Sequence, residues 1–434
     1  MINQIRKTMD GVNMKNVLWI TGIFPPINCG IGRPYKLAKY LPDNGWNPVV
    51  LAFKKSLFRP QMDESLLEEV KHLEVHRTKS GDSKLLQLVL PKLLGIDRRK
   101  VNSPDPWYRW QKHALKKGRE IMESRGRWNN TKIDAIFSSS LPNTCHLIAL
   151  KLKQEYELPW IADFRDLWTQ VGGGYGNIPD STLTKERVME SNVLMDADWV
   201  TMINQAGLDI LSENRSKVEA KSSVITHGFD PEDYQRLQRQ DYDNICTMTY
   251  AGSLYGARTN GAVSFLKALA SIQDRSGVKV RFIGNCSVLR DTVSSLRLDN
   301  TATFIPWMGK RAALEMLAMS NVSLFLLGDS QTDRMASTGK LYDYLGVGRP
   351  IMAVAMPEGT AGKIILDTHS GTVNSPNDLQ GIGDSIRYWA TAYKDGHKPD
   401  QERMREHDVR LKAKEMAEVL SHITNNGGEN GRER

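Results

Sequence analysis

Cysteine is scarce in this chain. Only Cys29, Cys145, Cys246 and Cys286 occur in 434 residues, and they lie far apart. The absence of any Cys-x-x-Cys pair excludes a zinc knuckle or a thioredoxin-like redox motif, and it fits a reducing compartment. Long apolar runs are missing too. No stretch of 18 apolar residues offers a transmembrane helix. Residues 1–16 are too polar for the apolar centre of a secretion signal, and Met14 is a second candidate initiator beside Met1. The first glycine-rich loop lacks the Gly-x-Gly-x-x-Gly spacing of a dinucleotide site and the Gly-Lys-Ser/Thr of an ATPase phosphate loop.

What is present describes a folded protein: 40% hydrophobic and 25% charged residues, with 34 Gly and 18 Pro. The length exceeds one ordinary hydrophobic core, so two domains of roughly 200 residues are expected. The formal charge is +8. A basic surface serves nucleic acid, anionic lipid or an anionic small substrate, and net charge does not choose among them.

Hydrophobic runs alternate with helical spacing along the chain. Strands are expected at Val17–Ile20, Pro48–Phe53, Ile133–Phe137, Trp160–Phe164 and Ala197–Met202, with helices around Pro34–Leu41 and Glu186–Met195. Gly172–Gly176 reads as a loop, and Tyr234–Asn244, with no aliphatic run, as a linker. A second series follows, with strands at Met248–Gly252, Val278–Ile283, Thr303–Ile305, Val322–Leu327 and Ile351–Ala355 and helices at Asn260–Ile272 and Arg311–Met319. The pattern predicts an α/β protein with two mostly parallel sheets. The expected divisions are 1–236, 245–400, a charged amphipathic helix over 401–423 that packs back on the first domain, and a disordered tail over 424–434.

Ligands of open α/β sheets bind at the carboxyl ends of strands, and the unusual polar motifs fall there. Gly30, Gly32 and Arg33 follow the first strand and suit a diphosphate or sugar, or else form a tight turn. Asp163, Arg165, Asp166 and Trp168 cluster after another strand. The Trp would stack on a sugar while a carboxylate holds hydroxyls, unless Arg165 and Asp166 pair with each other. His146 lies one turn inside a helix, facing a cleft or packed. Gly252, Ser253 and Arg258 form a second strand-end loop. Thr338, Gly339 and Lys340 open a helix, whose N-terminus and cation suit a phosphate. Asp343 shares that helix face with Lys340 and would accept from a ribose diol, or only complement the dipole. Separately, Lys84–Lys117 mixes leucines, aromatics and bases, which fits an anionic membrane surface or a packed helix with a basic face.

Taken in order, Phe24-Pro25-Pro26 with Gly30 and Arg33, Ser138-Ser139 with Pro142 and His146, Pro159–Trp168, His227–Asp230, Tyr250–Tyr255 and Thr338–Leu345 with Gly348 and Pro350 form a set. This set resembles the bacterial retaining glycosyltransferases of GT-B architecture in the large group called family four, especially members from envelope polysaccharide clusters. The resemblance covers Lys15 to about Ile423. It implies two Rossmann-like domains facing each other across a cleft. A nucleoside-diphosphate sugar is then the donor, held mainly by the C-terminal domain, and a glycan or lipid-linked hydroxyl is the acceptor. It implies Lys340 and Arg258 on the diphosphate, with His146 and Asp166 beside them as catalytic candidates. Gly30, Arg33, Gly252, Ser253, Thr338, Gly339 and Asp343 would be donor ligands, and Asp163, Arg165, Asp166 and Trp168 would meet acceptor or sugar. Asp343 stands where relatives usually have Glu, Met335 where many carry another Glu, and His227 where asparagine is common. No Asp-x-Asp motif stands at a strand end, so no metal or bound cofactor is expected. A reducing, cytoplasmic compartment fits the scarce cysteines, and the Lys84–Lys117 surface would set the chain peripherally on the inner face of the plasma membrane. The rival readings are a sugar-nucleotide epimerase of the same fold and a non-catalytic scaffold; a nucleic-acid partner is not expected.

Overall fold

The computed structural model describes residues 14–27, 32–59, 61–125, 131–170, 179–238, 245–256, 258–395 and 397–426. The chain divides into two compact units. One comprises residues 1–226 together with 410–434, the other residues 227–409.

The first unit holds strands β1 (Lys15–Ile20), β2 (Trp46–Phe53), β3 (Glu74–Thr78), β4 (Ala135–Ser139), β5 (Trp160–Phe164), β6 (Trp199–Met202) and β7 (Ser222–Val224). They form one sheet in the order β3-β2-β1-β4-β5-β6-β7, with every neighbouring pair parallel. Helices connect parallel strands and cover both faces, so the central strands are continuously apolar. Accordingly β1, β4 and β5 are buried almost end to end, whereas β3 at the edge carries Glu74, His76 and Arg77. Charges on an edge strand deter pairing with another chain.

The second unit repeats the plan. Its strands β8 (Cys246–Ala251), β9 (Val278–Ile283), β10 (Ala302–Ile305), β11 (Val322–Leu326), β12 (Ile351–Val354) and β13 (Gly371–Asn374) run in the order β10-β9-β8-β11-β12-β13, again parallel throughout. In each sheet the strand order reverses beside its first strand, at β1/β4 and at β8/β11. That reversal is the topological switch point at which such sheets open a crevice for ligands.

Two expectations are corrected. Residues 401–423 do not form one helix. Phe229 N–H donates to His407 O, and Val409 N–H donates to Phe229 O, each at 2.9 Å. This exchange divides the segment into helices Gln401–Arg405 and Val409–Asn426. From Arg410 onward the second helix belongs to the first unit. It buries Ala413, Met416, Leu420 and Ile423, while Lys15 of β1 donates to Thr424 at 3.0 Å and Trp46 of β2 donates to Ser421 at 3.1 Å. The second correction concerns Tyr234–Asn244. Tyr234 and Leu237 pack on the apolar core of the second unit, beside Tyr344 and Leu345, so this part is not a free linker. Its remainder, 239–244, and the Gly172–Gly176 loop lie outside the described residues.

Candidate functional site

In the second unit the helix Gly339–Val347 points its N-terminus at the carboxyl end of β8. Lys340 and Tyr344, four residues apart, share one face of this helix. The Tyr344 hydroxyl accepts from Ala251 N–H at 2.9 Å, fixing the helix on the strand. One turn earlier, the Lys340 ammonium donates to the Tyr250 hydroxyl at 2.5 Å and lies 4.3 Å from the centre of that ring. Tyr250 passes the bond on by donating to Ser253 O at 3.1 Å. Gly252 turns the chain between them at φ +142°, and a Cβ there would stand 2.7 Å from Lys340 Nζ. Only glycine fits both the backbone and the ammonium.

Lys340 has no carboxylate partner among the described residues. Burial pushes its pKa down to about 7, and the neighbouring Arg258 charge pushes the same way. Arg258 opens the helix Arg258–Ser271. It donates to the Tyr255 hydroxyl at 3.0 Å and faces the buried Asp333 at 3.6 Å. Asp333 is itself held by Ser330, whose hydroxyl donates to it at 2.6 Å. Beside these cations, Ser337 Oγ and Thr338 Oγ1 are buried with no protein hydrogen-bond partner among the described residues. Two cations, a helix N-terminus and unengaged hydroxyls make a ready anion site.

Asp343 lies on a different face of the same helix. Its Oδ1 accepts from the Tyr234 hydroxyl at 2.9 Å and lies 3.6 Å from the Lys310 ammonium. The Tyr234 ring packs against Gly346, where a Cβ would come within 2.3 Å of it. Met335 ends the short helix Gln331–Met335, two residues beyond Asp333. An acid is therefore present in this segment, engaged with Arg258.

In the first unit, strand register decides what the polar cluster does. Ser139, Asp163 and Thr201 are direct neighbours across β4, β5 and β6. Asp163 accepts from Ser139 Oγ at 2.7 Å and Thr201 Oγ1 at 2.8 Å. Arg33 completes the shell, with Nη2 at 2.8 Å and Nε at 3.3 Å from the carboxylate. Burial alone would raise the Asp163 pKa, but the Arg33 charge and these hydrogen bonds hold it below the usual carboxylate value. Arg33 also donates to Thr226 O at 2.6 Å. Both side chains are closed to solvent, at 1% and 0% exposure.

Arg33, Asp163 and Trp168, expected to contact ligand, have their polar groups engaged within the protein. Trp168 is buried, and its indole donates to Glu186 at 3.0 Å. Arg165 spends its guanidinium on backbone carbonyls, donating to Ser140 O and, at 2.9 Å, to Leu141 O. It does not pair with Asp166, which is exposed. His146 is fully buried and stacks on Phe164 at 4.5 Å between centroids. The Ser138 hydroxyl, which accepts from Trp160 at 2.8 Å, lies 2.8 Å from His146 Nδ1. Burial pushes the His146 pKa down to about 3, so the imidazole is neutral. Its Nε2 has no partner among the described residues. Gly30 lies outside the described residues.

The sequence reading missed Tyr250, Asp333 and Tyr234 as site residues, and Ser139 and Thr201 as the shell of Asp163. The β-strand register alone brings the last two to Asp163.

The architecture has known counterparts. The chain is similar to a glycosyltransferase from Rickettsia africae ESF-5, at 14% identity and a TM-score of 0.66, over 95% of this chain and 100% of that one. It is similar to sucrose-phosphate synthase from Thermosynechococcus elongatus, at 13% identity and a TM-score of 0.57, over 96% and 98%. It is also similar to the N-terminal domain of Candida albicans trehalose-6-phosphate phosphatase, at 12% identity and a TM-score of 0.61, over 94% and 96%. No protein-family model matches the chain, and no curated protein matches it either. Likeness at this level of identity identifies the fold. The two parallel sheets, each flanked by helices, form a GT-B fold.

Proposed function

We propose that the protein is a retaining glycosyltransferase. It moves a sugar from a nucleoside-diphosphate sugar to a hydroxyl of a glycan or lipid-linked acceptor, in the cytoplasm, during cell-envelope polysaccharide synthesis. The observation that supports this best is Lys340, an ammonium without a carboxylate partner among the described residues, next to Arg258 and a helix N-terminus. A protein that places two cations together and leaves hydroxyls unengaged beside them is prepared for a polyanion. The diphosphate supplies that charge.

During transfer, the bond between the sugar anomeric carbon and the diphosphate oxygen breaks. The acceptor oxygen bonds to that carbon on the same face, and its proton passes to the departing phosphate oxygen. Negative charge grows on the leaving diphosphate, where Lys340 and Arg258 stabilise it most in the transition state. The helix dipole and the Ser337 and Thr338 hydroxyls add to that field. Asp343, with Oδ1 held by Tyr234, presents Oδ2 to the ribose diol. The first unit carries acceptor recognition, with Asp166 the exposed acid of its strand-end cluster.

A panel of nucleoside-diphosphate sugars in a thermal-shift assay, followed by product analysis with acceptors, tests this reading. A ligand near 100 times its Kd adds about 2.7 kcal/mol. We expect at least one donor to raise Tm by several degrees and to be consumed only when an acceptor is present. A 2-epimer or free sugar formed without acceptor would replace transfer by epimerisation or hydrolysis. No shift with any donor overturns the donor site itself.

A further inference from the structure

We infer that residues 84–100 form a docking hairpin that inserts its apolar tip into the surface of an anionic lipid bilayer. The hairpin consists of the helical turns Leu85–Val89 and Leu90–Leu93, a reversal at Gly95 with φ +63°, and the turn Arg98–Val101. Asp97 caps the last turn, accepting from Arg99 N–H at 2.7 Å.

Its base is firmly held. Gln87 is completely buried, and its amide donates to Asn102 Oδ1 at 2.8 Å and to Pro106 O at 2.6 Å. Its Oε1 accepts from Ser83 N–H at 2.8 Å. Asn102 returns a bond to Gln87 O at 3.3 Å. This buried clamp joins the two arms and satisfies their polar groups.

The tip is the opposite. Every residue from Lys92 to Arg98 is exposed. Leu93 is 75% exposed, Leu94 66% and Ile96 42%. A single exposed leucine needs no explanation, but three aliphatics within four positions on a clamped turn do. A neighbouring loop adds to this surface. Asp82 accepts from Ser56 Oγ at 2.6 Å and Leu57 N–H at 2.8 Å, which ties the exposed Leu57, next to Lys54 and Lys55, to the approach of the hairpin.

Charge selects the occupant. Residues 84–100 carry five bases, Lys84, Lys92, Arg98, Arg99 and Lys100, and a single acid, Asp97, which is engaged as a cap. A basic collar around an apolar tip complements anionic headgroups above an acyl layer. The element is far too short to cross a bilayer, and no helix among the described residues is long and apolar enough to do so. It therefore lies in the interface. The inference does not rest on the transferase reading, because vesicle binding is measured without any sugar.

The test is flotation of the full chain with phosphatidylglycerol–phosphatidylcholine vesicles and with phosphatidylcholine alone. The wild type is expected to float with the first and not the second, and inorganic phosphate should not release it. Each base near an anionic surface contributes about fivefold in affinity, so R98E with K100E should weaken binding about 25-fold or more. L93S with L94S should weaken it at least about tenfold. Both variants leave the Gln87–Asn102 clamp intact and should keep the wild-type melting temperature. Failure of the wild type to float, or equal flotation of all three proteins, overturns the inference. A wild-type dimer that L93S with L94S makes monomeric, without vesicle binding, would assign the tip to a second copy of the chain instead.

Discussion

At the carboxyl end of β5, Asp163 meets Arg33 at 2.8 Å, and two neighbouring strands supply hydroxyls to the same carboxylate. At the carboxyl end of β8, Lys340 meets a phenol and, nearby, another cation. The two units have the same strand order up to the extra edge strand β7. Their strand-end charges nevertheless differ in kind. In the first, opposite charges are buried and saturated, which makes them part of the scaffold. In the second, Arg258 faces Asp333, but Lys340 has no carboxylate partner among the described residues and lies near unengaged hydroxyls, so the charge there is only partly compensated. The presence of charge at a strand end does not mark a binding site. Incomplete compensation does.

The sharpest way to break this contrast is D163A. It leaves the Arg33 guanidinium buried without its partner, and such losses cost about 3–5 kcal/mol. Urea unfolding of the first unit should show that loss at neutral pH. The sign follows from the lowered pKa of Asp163: its contribution is present above the ordinary carboxylate value of 3.8 and disappears as pH falls through its lower folded value. A loss below about 1 kcal/mol would remove Asp163 from the scaffold and return it to the list of ligand contacts.

K340M should do the reverse, harming activity and sparing the fold. Losing a preorganised donor to a developing oxyanion lowers kcat by about 10²–10³-fold. The folded pKa of Lys340 is about 7, against an ordinary lysine value of 10.5. The folded state therefore holds fewer protons than the unfolded state between those limits. The cost of the buried ammonium is fully present below pH 7 and is relieved as pH rises through that window. K340M should thus be at least as stable as the wild type at pH 6 and lose that advantage near pH 10. Normal turnover in the folded variant would contradict the role given to Lys340.

The sequence showed the central strands because parallel strands buried on both faces are continuous apolar runs, as in Val322–Leu326 and Ile351–Val354. It did not show β3 or β13, whose edge positions relieve them of that requirement. It did not show the break before Val409 either, because the cause is Phe229, far away in the chain. The site divides similarly. Lys340 was visible as a cation at a helix start. Tyr250, 90 positions away, was not visible as its partner. Asp163 and Trp168 looked like ligand contacts because they sit together in sequence. Their partners within the protein, Ser139, Thr201 and Glu186, are set by strand register and helix packing.

The smallest expected effect tests whether the receptive pocket extends along its helix to Asp343. This carboxylate is partly compensated, with Oδ1 held by Tyr234 and Lys310. It stands between the saturated Asp163 and the unpaired Lys340, and its effect on function should be correspondingly moderate. Hydrogen bonds to a charged group contribute about 1.5–3 kcal/mol, so D343A should raise the donor KM about tenfold or somewhat more, with kcat within about threefold of wild type. Y234F keeps the carboxylate but loses the bond that aims it, and it should cost less than D343A. Calorimetry with the nucleoside diphosphate alone should show the same order of loss. A 2′- or 3′-deoxy nucleotide should bind wild type and D343A equally, because the hydroxyl that reads the carboxylate is gone. Unchanged affinity of D343A for the ribose nucleotide would confine the pocket to the Lys340 face of the helix.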